Sequence, residues 1–276
     1  MIFGEHAKCQ AEAEYPDLWR GLVGAWSPCL SPRGGKVLRD LSGRGNHGTL
    51  ENLTPATSWT LDFGFGSVVF GGGVTTGIIR VADSAADPVA LSLANAVRPR
   101  WSISAWVRPY NYTNSFPIIY TYGRWRASLG TKQTSGLLTH WRNNATEYVA
   151  NSSVPTNVMS HVVLTNEPGD TIRFYLNGVT DGTFSSVATV NANTGSAIGG
   201  AANGSVVDNS WTGAVADVLV HEKTLTHREI ITLYRLGPGG WATPRRRRWN
   251  YATAQTAIPY WVFARKNARL IGGGVT

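Results

Sequence analysis

Cleaving a glycosidic bond takes two carboxylates about 5–10 Å apart on one surface, one acting as acid and the other attacking the sugar or activating water. On a β-strand such a pair falls at alternate positions, as in Glu-x-Asp-x-x-Glu, because only alternate residues share a face. The chain has no such pattern. Glu12 and Glu14 precede the strand-rich region, and Asp217 and Glu222 lie five apart, which puts them on opposite faces. A serine nucleophile would announce itself by a Gly-x-Ser-x-Gly elbow, and none is present. His47 sits in a glycine-rich loop, where its expected work is to anchor the loop by hydrogen bonding. No residue is therefore assigned to catalysis, and the chain is read as no enzyme.

Recognition chemistry is better represented. Tyr110, Tyr112, Tyr120, Tyr122, Trp125 and Trp141 fall in loops and short strands, where an aromatic platform with polar neighbours would stack on a sugar ring. The same residue types fill cores and protein interfaces, and that use is favoured for them. The net charge of +8 is concentrated at the end of the chain, in Arg245, Arg246, Arg247, Arg248, Arg265, Lys266 and Arg269. Between these cations stand Trp241, Trp249, Tyr251, Tyr260, Trp261 and Phe263, too apolar for a free linker. An arginine run contacting nucleic acid would bind phosphates without sequence preference, and a membrane patch would call for an amphipathic helix. The interleaving favours an assembly arm that pairs with acidic grooves on a neighbour. Its expected contacts are Trp241, Arg245 to Arg248, Trp249, Trp261 and Arg265.

The chain as a whole is weakly charged: charged residues make up 15%, against about 25% in an average domain. Hydrophobic residues at 42%, with 31 glycines and 11 tryptophans, suit a real core connected by many tight turns. Cys9 and Cys29 could form a disulfide or remain two thiols, and nothing resembles a metal-binding cysteine spacing. Asn111, Asn144, Asn151 and Asn203 each open an Asn-x-Ser/Thr triplet and are read as surface turns. The first residues show no basic segment followed by an apolar run, so no signal peptide is expected. No apolar stretch of about 18 residues suggests a membrane span.

The elements that must position these groups are mainly strands. Trp101, Ile103, Ala105 and Val107 alternate with polar residues and predict a half-buried strand. Residues 161–165 and 172–176 predict two more, and Asn177-Gly178 after them is a two-residue turn with two positive φ angles. Residues 23–26, 67–70, 78–81 and 215–220 add further strands. Helical signal is nearly absent until Thr226, where Thr226-His227-Arg228-Glu229 forms a capping box. Leu225 and Ile230 make the hydrophobic staple, and Gly237-Pro238-Gly239-Gly240 stops the helix after about three turns. Short strands separated by glycine turns, without βα alternation, mean a sandwich or a barrel.

Five segments together resemble the laminin-G-like branch of the concanavalin-A-like jelly rolls. They are residues 21–26, residues 40–50, residues 101–109, residues 174–179, and Gly213 to Val218 followed by Leu225 to Tyr234. The resemblance spans residues 19–236 and implies one all-β domain: an antiparallel two-sheet jelly-roll sandwich with one short C-terminal helix and an extended tail. Residues 1–18 are then an N-terminal arm, and residues 237–276 the basic, aromatic tail. Related domains often hold calcium with Asp residues after a Phe-Asp-Gly turn and before the last helix. Here Gly71 to Thr76 and Ala216 stand in those places, so no metal and no other cofactor is expected.

Such domains mostly bind, and similar ones in tailed-phage and prophage proteins run from a closing Leu-Tyr helix into an Arg-rich tail. The expected function is a non-enzymatic structural or attachment protein of a phage-like particle, located in the virion and made in the host cytoplasm. Its partners would be other virion subunits, within an oligomer, with neither nucleic acid nor membrane involved. The alternative is a lectin-like module that recognises host or surface glycans.

Overall fold

The computed structural model describes residues 5–31, 34–62, 64–71, 77–81, 100–113, 117–122, 127–142, 146–167, 171–185, 196–203, 206–208 and 210–243. In chain order the strands begin with β1 (Leu22–Trp26), β2 (Val37–Leu38), β3 (Gly48–Glu51), β4 (Trp59–Asp62), β5 (Phe65–Gly71) and β6 (Ile78–Arg80). Then come β7 (Trp101–Pro109), β8 (Ile118–Tyr122), β9 (Ala127–Thr131), β10 (Leu137–Arg142), β11 (Thr146–Ser153) and β12 (Ser160–Glu167). The last are β13 (Thr171–Leu176), β14 (Val179–Ser185), β15 (Ala197–Ile198), β16 (Ala201–Asn203), β17 (Val206–Asp208) and β18 (Thr212–His221).

The first sheet runs β14-β13-β12-β7-β18-β5-β4, with β1 also pairing with β18. The second runs β11-β10-β9-β8-β15-β6-β3-β2, and β16-β17 form a separate hairpin. Every pairing is antiparallel. This is the two-sheet sandwich that the resemblance implies.

The space between the sheets is filled as the alternation in β7 requires. Trp101, Ile103, Ala105 and Val107 face inward and meet Val162, Leu164, Phe174, Val218 and Val220 from the same sheet. From the second sheet come Ile79, Tyr120, Leu129 and Leu138. The Asn177-Gly178 turn has φ angles of 51° and 82°, and the Asn177 side chain accepts a hydrogen bond from the His161 amide.

A second apolar layer lies on the outer face of the first sheet. Leu22, Ala25, Val163, Tyr175 and Leu219 are buried there beneath Leu18, Leu225, Ile230, Leu233 and Trp241. This explains why β18 is buried at all ten positions: the sheet is covered on both sides. The cover includes the closing helix, labelled α4 below (His227–Leu236), and two helices not foreseen in the sequence, α1 (Glu5–Glu14) and α2 (Pro16–Trp19).

The N-terminal arm is thus helical, with Ala11 and Leu18 buried. Its signal was propensity rather than periodicity, because Glu5–Glu14 is made almost wholly of strong helix formers without an apolar stripe. A third short helix, α3, covers Pro55–Ser58. Cys9 and Cys29 are free, and the Cys29 thiol donates to the Gly66 carbonyl.

Helix α4 starts as its capping box dictates. The Thr226 hydroxyl accepts from the Glu229 amide at 3.3 Å, and the Glu229 carboxylate accepts from the Thr226 amide at 2.6 Å. Lys223 pairs with the same carboxylate. Gly237, at φ 70°, ends the helix. Ile230 and Leu233 are its buried contacts with the sheet. Thr226→Ala is expected to cost about 1 kcal/mol through the lost cap, and Ile230→Ala about 2–5 kcal/mol through the cavity it leaves. Urea unfolding of the two variants checks this; equal and negligible losses would mean that α4 is not docked.

Candidate functional site

β18 carries a bulge that decides what lies on the outer face. Val215 pairs with Val107, whereas Asp217 pairs with Trp106, so Ala216 is an extra residue. In a regular, unbulged strand of the same sequence, Asp217, two residues on, would share the inward face of Val215. The bulge turns the carboxylate outward, beneath the segment that follows α4.

There Asp217, 2% exposed, accepts three hydrogen bonds. Ser27 Oγ donates to Oδ1 at 2.5 Å, the Gly239 amide donates to Oδ2 at 2.5 Å, and Trp241 Nε1 donates to Oδ2 at 3.2 Å. Burial pushes this carboxyl up to about 7, against the opposing pull of those donors. Trp241 is 1% exposed and lies in a 3-10 turn, Gly240–Ala242, with its ring 4.9 Å from that of Trp19. Lys8 of α1 sits over the other ring of this pair, 5.8 Å from the Trp19 centroid. Both ends of the described chain are thereby joined on one face. Trp241, expected as an assembly-arm contact, is instead a core residue of the domain. Residues 237–243 pack with the sandwich rather than with a tail. Arg245 to Arg248, Trp249, Trp261 and Arg265 lie outside the described residues.

Beside this clasp runs a half-exposed aromatic strip. Trp106 and Arg108 occupy alternate positions of β7 and so share its outer face, and Tyr110 follows them. The Arg108 guanidinium lies 5.2 Å from the Tyr110 ring centroid. Trp106 stacks against Tyr234 of α4 at 5.9 Å and 15°, and against His161 at 5.1 Å and 32°. His161 Nε2 meets Ser104 Oγ at 2.8 Å, and burial pushes the ring down to about 3, so it stays neutral.

The six aromatic candidates do not form one platform. Tyr110 belongs to the strip just described. Tyr112 is half-buried, its hydroxyl donating to the Val154 carbonyl and its ring against Gly136, with burial pushing the phenol up. Tyr120 is fully buried and stacks on Trp26 at 5.8 Å, so it is a core residue and not a surface contact. Trp141 is half-buried on β10, a strand of the second sheet, with its amide donating to Ser128 Oγ. Tyr122 ends β8, its side chain outside the described residues, and Trp125 lies outside them altogether.

The glycine-rich loop after β2 is organised by Asp40. Its carboxylate accepts from the amides of Ala25, Ser42 and Asn46 and from Ser42 Oγ, at 2.7–3.0 Å. Asn46 then donates to the Val23 carbonyl and accepts from Trp26 Nε1, both at 2.7 Å. His47 Nδ1 accepts from the Asp40 amide at 3.1 Å, so it anchors the loop as expected.

A family model described as the concanavalin A-like lectin/glucanases superfamily (Laminin_G_3) matches residues 83–231. The chain belongs to this family. Several solved structures share the laminin-G-like fold. Domain 4 of AbnA, a GH43 extracellular arabinanase from Geobacillus stearothermophilus solved with arabinotriose, is 15% identical with a TM-score of 0.54. That match covers 76% of this chain and 97% of the other.

A botulinum neurotoxin type C structure, described as interacting with two ganglioside molecules, is 16% identical with a TM-score of 0.56. It covers 79% of this chain and 52% of the toxin chain. A Trypanosoma rangeli sialidase is 19% identical with a TM-score of 0.52, over 78% of this chain and 32% of the sialidase. This laminin-G-like chain thus spans about half of the toxin chain and a third of the sialidase. Comparison with curated protein sequences finds no match.

Within this Laminin_G_3 sandwich, the residues that sequence reasoning passed over are Asp217, Trp106 and Tyr234. Two signals pointed to them. Period-2 alternation places Trp106 and Arg108 opposite the inward Val107, and the apolar positions Val215, Val218 and Val220 change phase at Ala216.

Proposed function

We propose that the chain is a non-enzymatic attachment module, a recognition sandwich whose C-terminal tail docks it to other subunits. The observation that carries this reading is the fixed root of the tail. Residues 237–243 are clamped by Asp217 and Trp241, so the chain beyond Thr243 starts from a defined place. An arm with a fixed root loses less freedom on docking than one that must also order its base. Residues 244–276 contain seven Lys and Arg and no Asp or Glu, interleaved with Trp, Tyr and Phe, which suits an acidic surface with apolar pockets.

Six acids among the described residues have structural partners, which supports a role without turnover. Glu51 pairs with Arg80, Glu147 with Lys132, Glu167 with Arg173 and Glu222 with Arg44, while Asp40 and Asp217 hold the loop and the clasp. The setting we propose is a phage-like particle assembled in its host's cytoplasm.

A second reading, glycan recognition by the sandwich itself, is favoured by the Trp106–Arg108–Tyr110 strip. Half-exposed rings with an adjacent guanidinium can stack on a pyranose and donate to its oxygens. The likeness in fold to a domain solved with arabinotriose supports it as well.

One experiment separates the two. Full-length chain and a chain ending at Thr243 are compared for incorporation into the native particle and for binding to a glycan array. The shortened chain is expected to stay folded, with an unchanged melting temperature, and to lose incorporation. Incorporation at wild-type occupancy would overturn tail docking. Saturable glycan binding by both chains, abolished by Tyr110→Ala, would establish the second reading.

A further inference from the structure

We infer that residues 237–243 form a pH-sensitive clasp, which protonated Asp217 holds shut against the first sheet and ionised Asp217 allows to open. The geometry shows where the proton sits. Asp217 Oδ2 takes both N–H donors, from Gly239 and Trp241, while Oδ1 meets only Ser27 Oγ at 2.5 Å among the described residues. A hydroxyl accepts as readily as it donates. A proton on Oδ1 is therefore given to Ser27 Oγ with no heavy atom moved, the Ser27 hydroxyl proton turning away as the serine becomes the acceptor, and Oδ2 keeps both of its donors. The neutral acid is satisfied in place.

The ionised acid is less well placed, because no cation pairs with it among the described residues. Burial is the largest influence on Asp217, and the bonds from Gly239, Ser27 and Trp241 offset it only in part, leaving the carboxyl at about 7. The titratable group nearest in the chain loop after β1 is the Cys29 thiol, pushed up by burial and by Asp217 itself, and so neutral at physiological pH. From β7 the opposing residue is Trp106, tilted against a neutral His161; from the described tail root come Gly239 and Trp241, and the Lys8 ammonium of α1 lies over the Trp19 ring, on the other member of the Trp19–Trp241 pair.

The sign follows from proton counting. An Asp released to water titrates near 3.9, whereas the closed clasp holds its proton up to about 7. Between those values the closed form binds more protons than the open form, so opening becomes easier as pH rises and levels off above about 7. The clasp is tightest in acid. The inference concerns the clasp itself and holds whatever the tail docks onto.

The test is hydrogen exchange of the intact chain at pH 5, 6, 7 and 8, with rates normalised to the intrinsic exchange of each amide. Protection at Gly239–Thr243 is expected to fall tenfold or more from pH 5 to pH 8, while the interior amides of α4 keep theirs. Asp217→Asn places an amide N–H toward Ser27 and an oxygen toward Gly239 and Trp241, mimicking the neutral acid. It is expected to keep the pH 5 protection of the wild type at every pH. A flat wild-type profile, or an Asn variant with the full wild-type slope, would overturn the inference. If the variant fails to fold, the wild-type profile decides alone.

Discussion

Trp241→Ala is expected to lower the stability of the domain by about 3–5 kcal/mol, the usual cost of emptying a buried tryptophan site. The side chain is 1% exposed, packs on Trp19, and spends its indole N–H on Asp217. Its loss removes apolar burial and one of the two N–H donors to Asp217, a group that cannot reach water. Truncation carries the same logic further. A chain ending at Gly237 loses Gly239 and Trp241 together and uncovers Leu22, Ala25 and Leu219, so it should unfold at lower denaturant or fail to accumulate. A chain ending at Thr243 should not. Urea titration followed by tryptophan fluorescence distinguishes these results. A chain ending at Gly237 with wild-type stability would show that the clasp adds nothing to the fold.

Asp40→Ala is expected to cost about 2–4 kcal/mol, because one side chain serves four donors at once. The amide of Ala25 belongs to β1, which has β18 on one side and meets the loop on the other through the bridge Trp26–Asp40. Asp40 supplies the acceptor that a second neighbouring strand would have offered, and Asn46 supplies the matching donor to the Val23 carbonyl. The loop thus completes the edge of the sheet. His47→Ala removes a single contact and should cost about 0.5–1.5 kcal/mol. Chemical denaturation of both variants checks the ranking. A larger loss at His47 would mean that the histidine, and not the aspartate, organises the loop.

Much of this fold could be read from the residues because its signals are local. Alternation in Trp101–Val107, the positive φ angles that Asn177-Gly178 tolerates, and the Thr226–Glu229 capping box each depend on a few neighbouring residues. The glycine-rich segment around Asn46 and His47 identified itself as a loop, but not Asp40 as its centre, since a carboxylate accepting four bonds looks in sequence like any other acid.

The parts that escaped depend on distant contacts. Tyr120 and Trp241 look alike in composition to surface aromatics. Only a partner distant in sequence, Trp26 on the opposite sheet for the first and Trp19 of α2 for the second, decides that they are inside. The helix Glu5–Glu14 escaped for a different reason: it shows no apolar stripe, so a reading based on periodicity had nothing to detect.

The extra residue Ala216 makes β18 a strand whose length is part of its information. Its two halves obey opposite parities, Val215 facing inward on an odd number, Val218 and Val220 on even ones. Deleting any one residue between Val215 and Val218 would bring the halves into a single parity. Every side chain beyond the cut would then keep its face if Ala216 were the residue removed, with Asp217 outward next to Val215 and Val218 and Val220 inward, and the loss would be the bulge itself with its local twist. A deletion at Ala216 therefore leaves the frame intact, whereas one residue gained or lost in the regular stretch Val218–His221 is a frame error written in space. Relatives that keep the Asp–Trp clasp should therefore vary at the bulge, in identity or by its loss, while keeping the count from Asp217 onward, and libraries built on this scaffold should place their insertions in the loops.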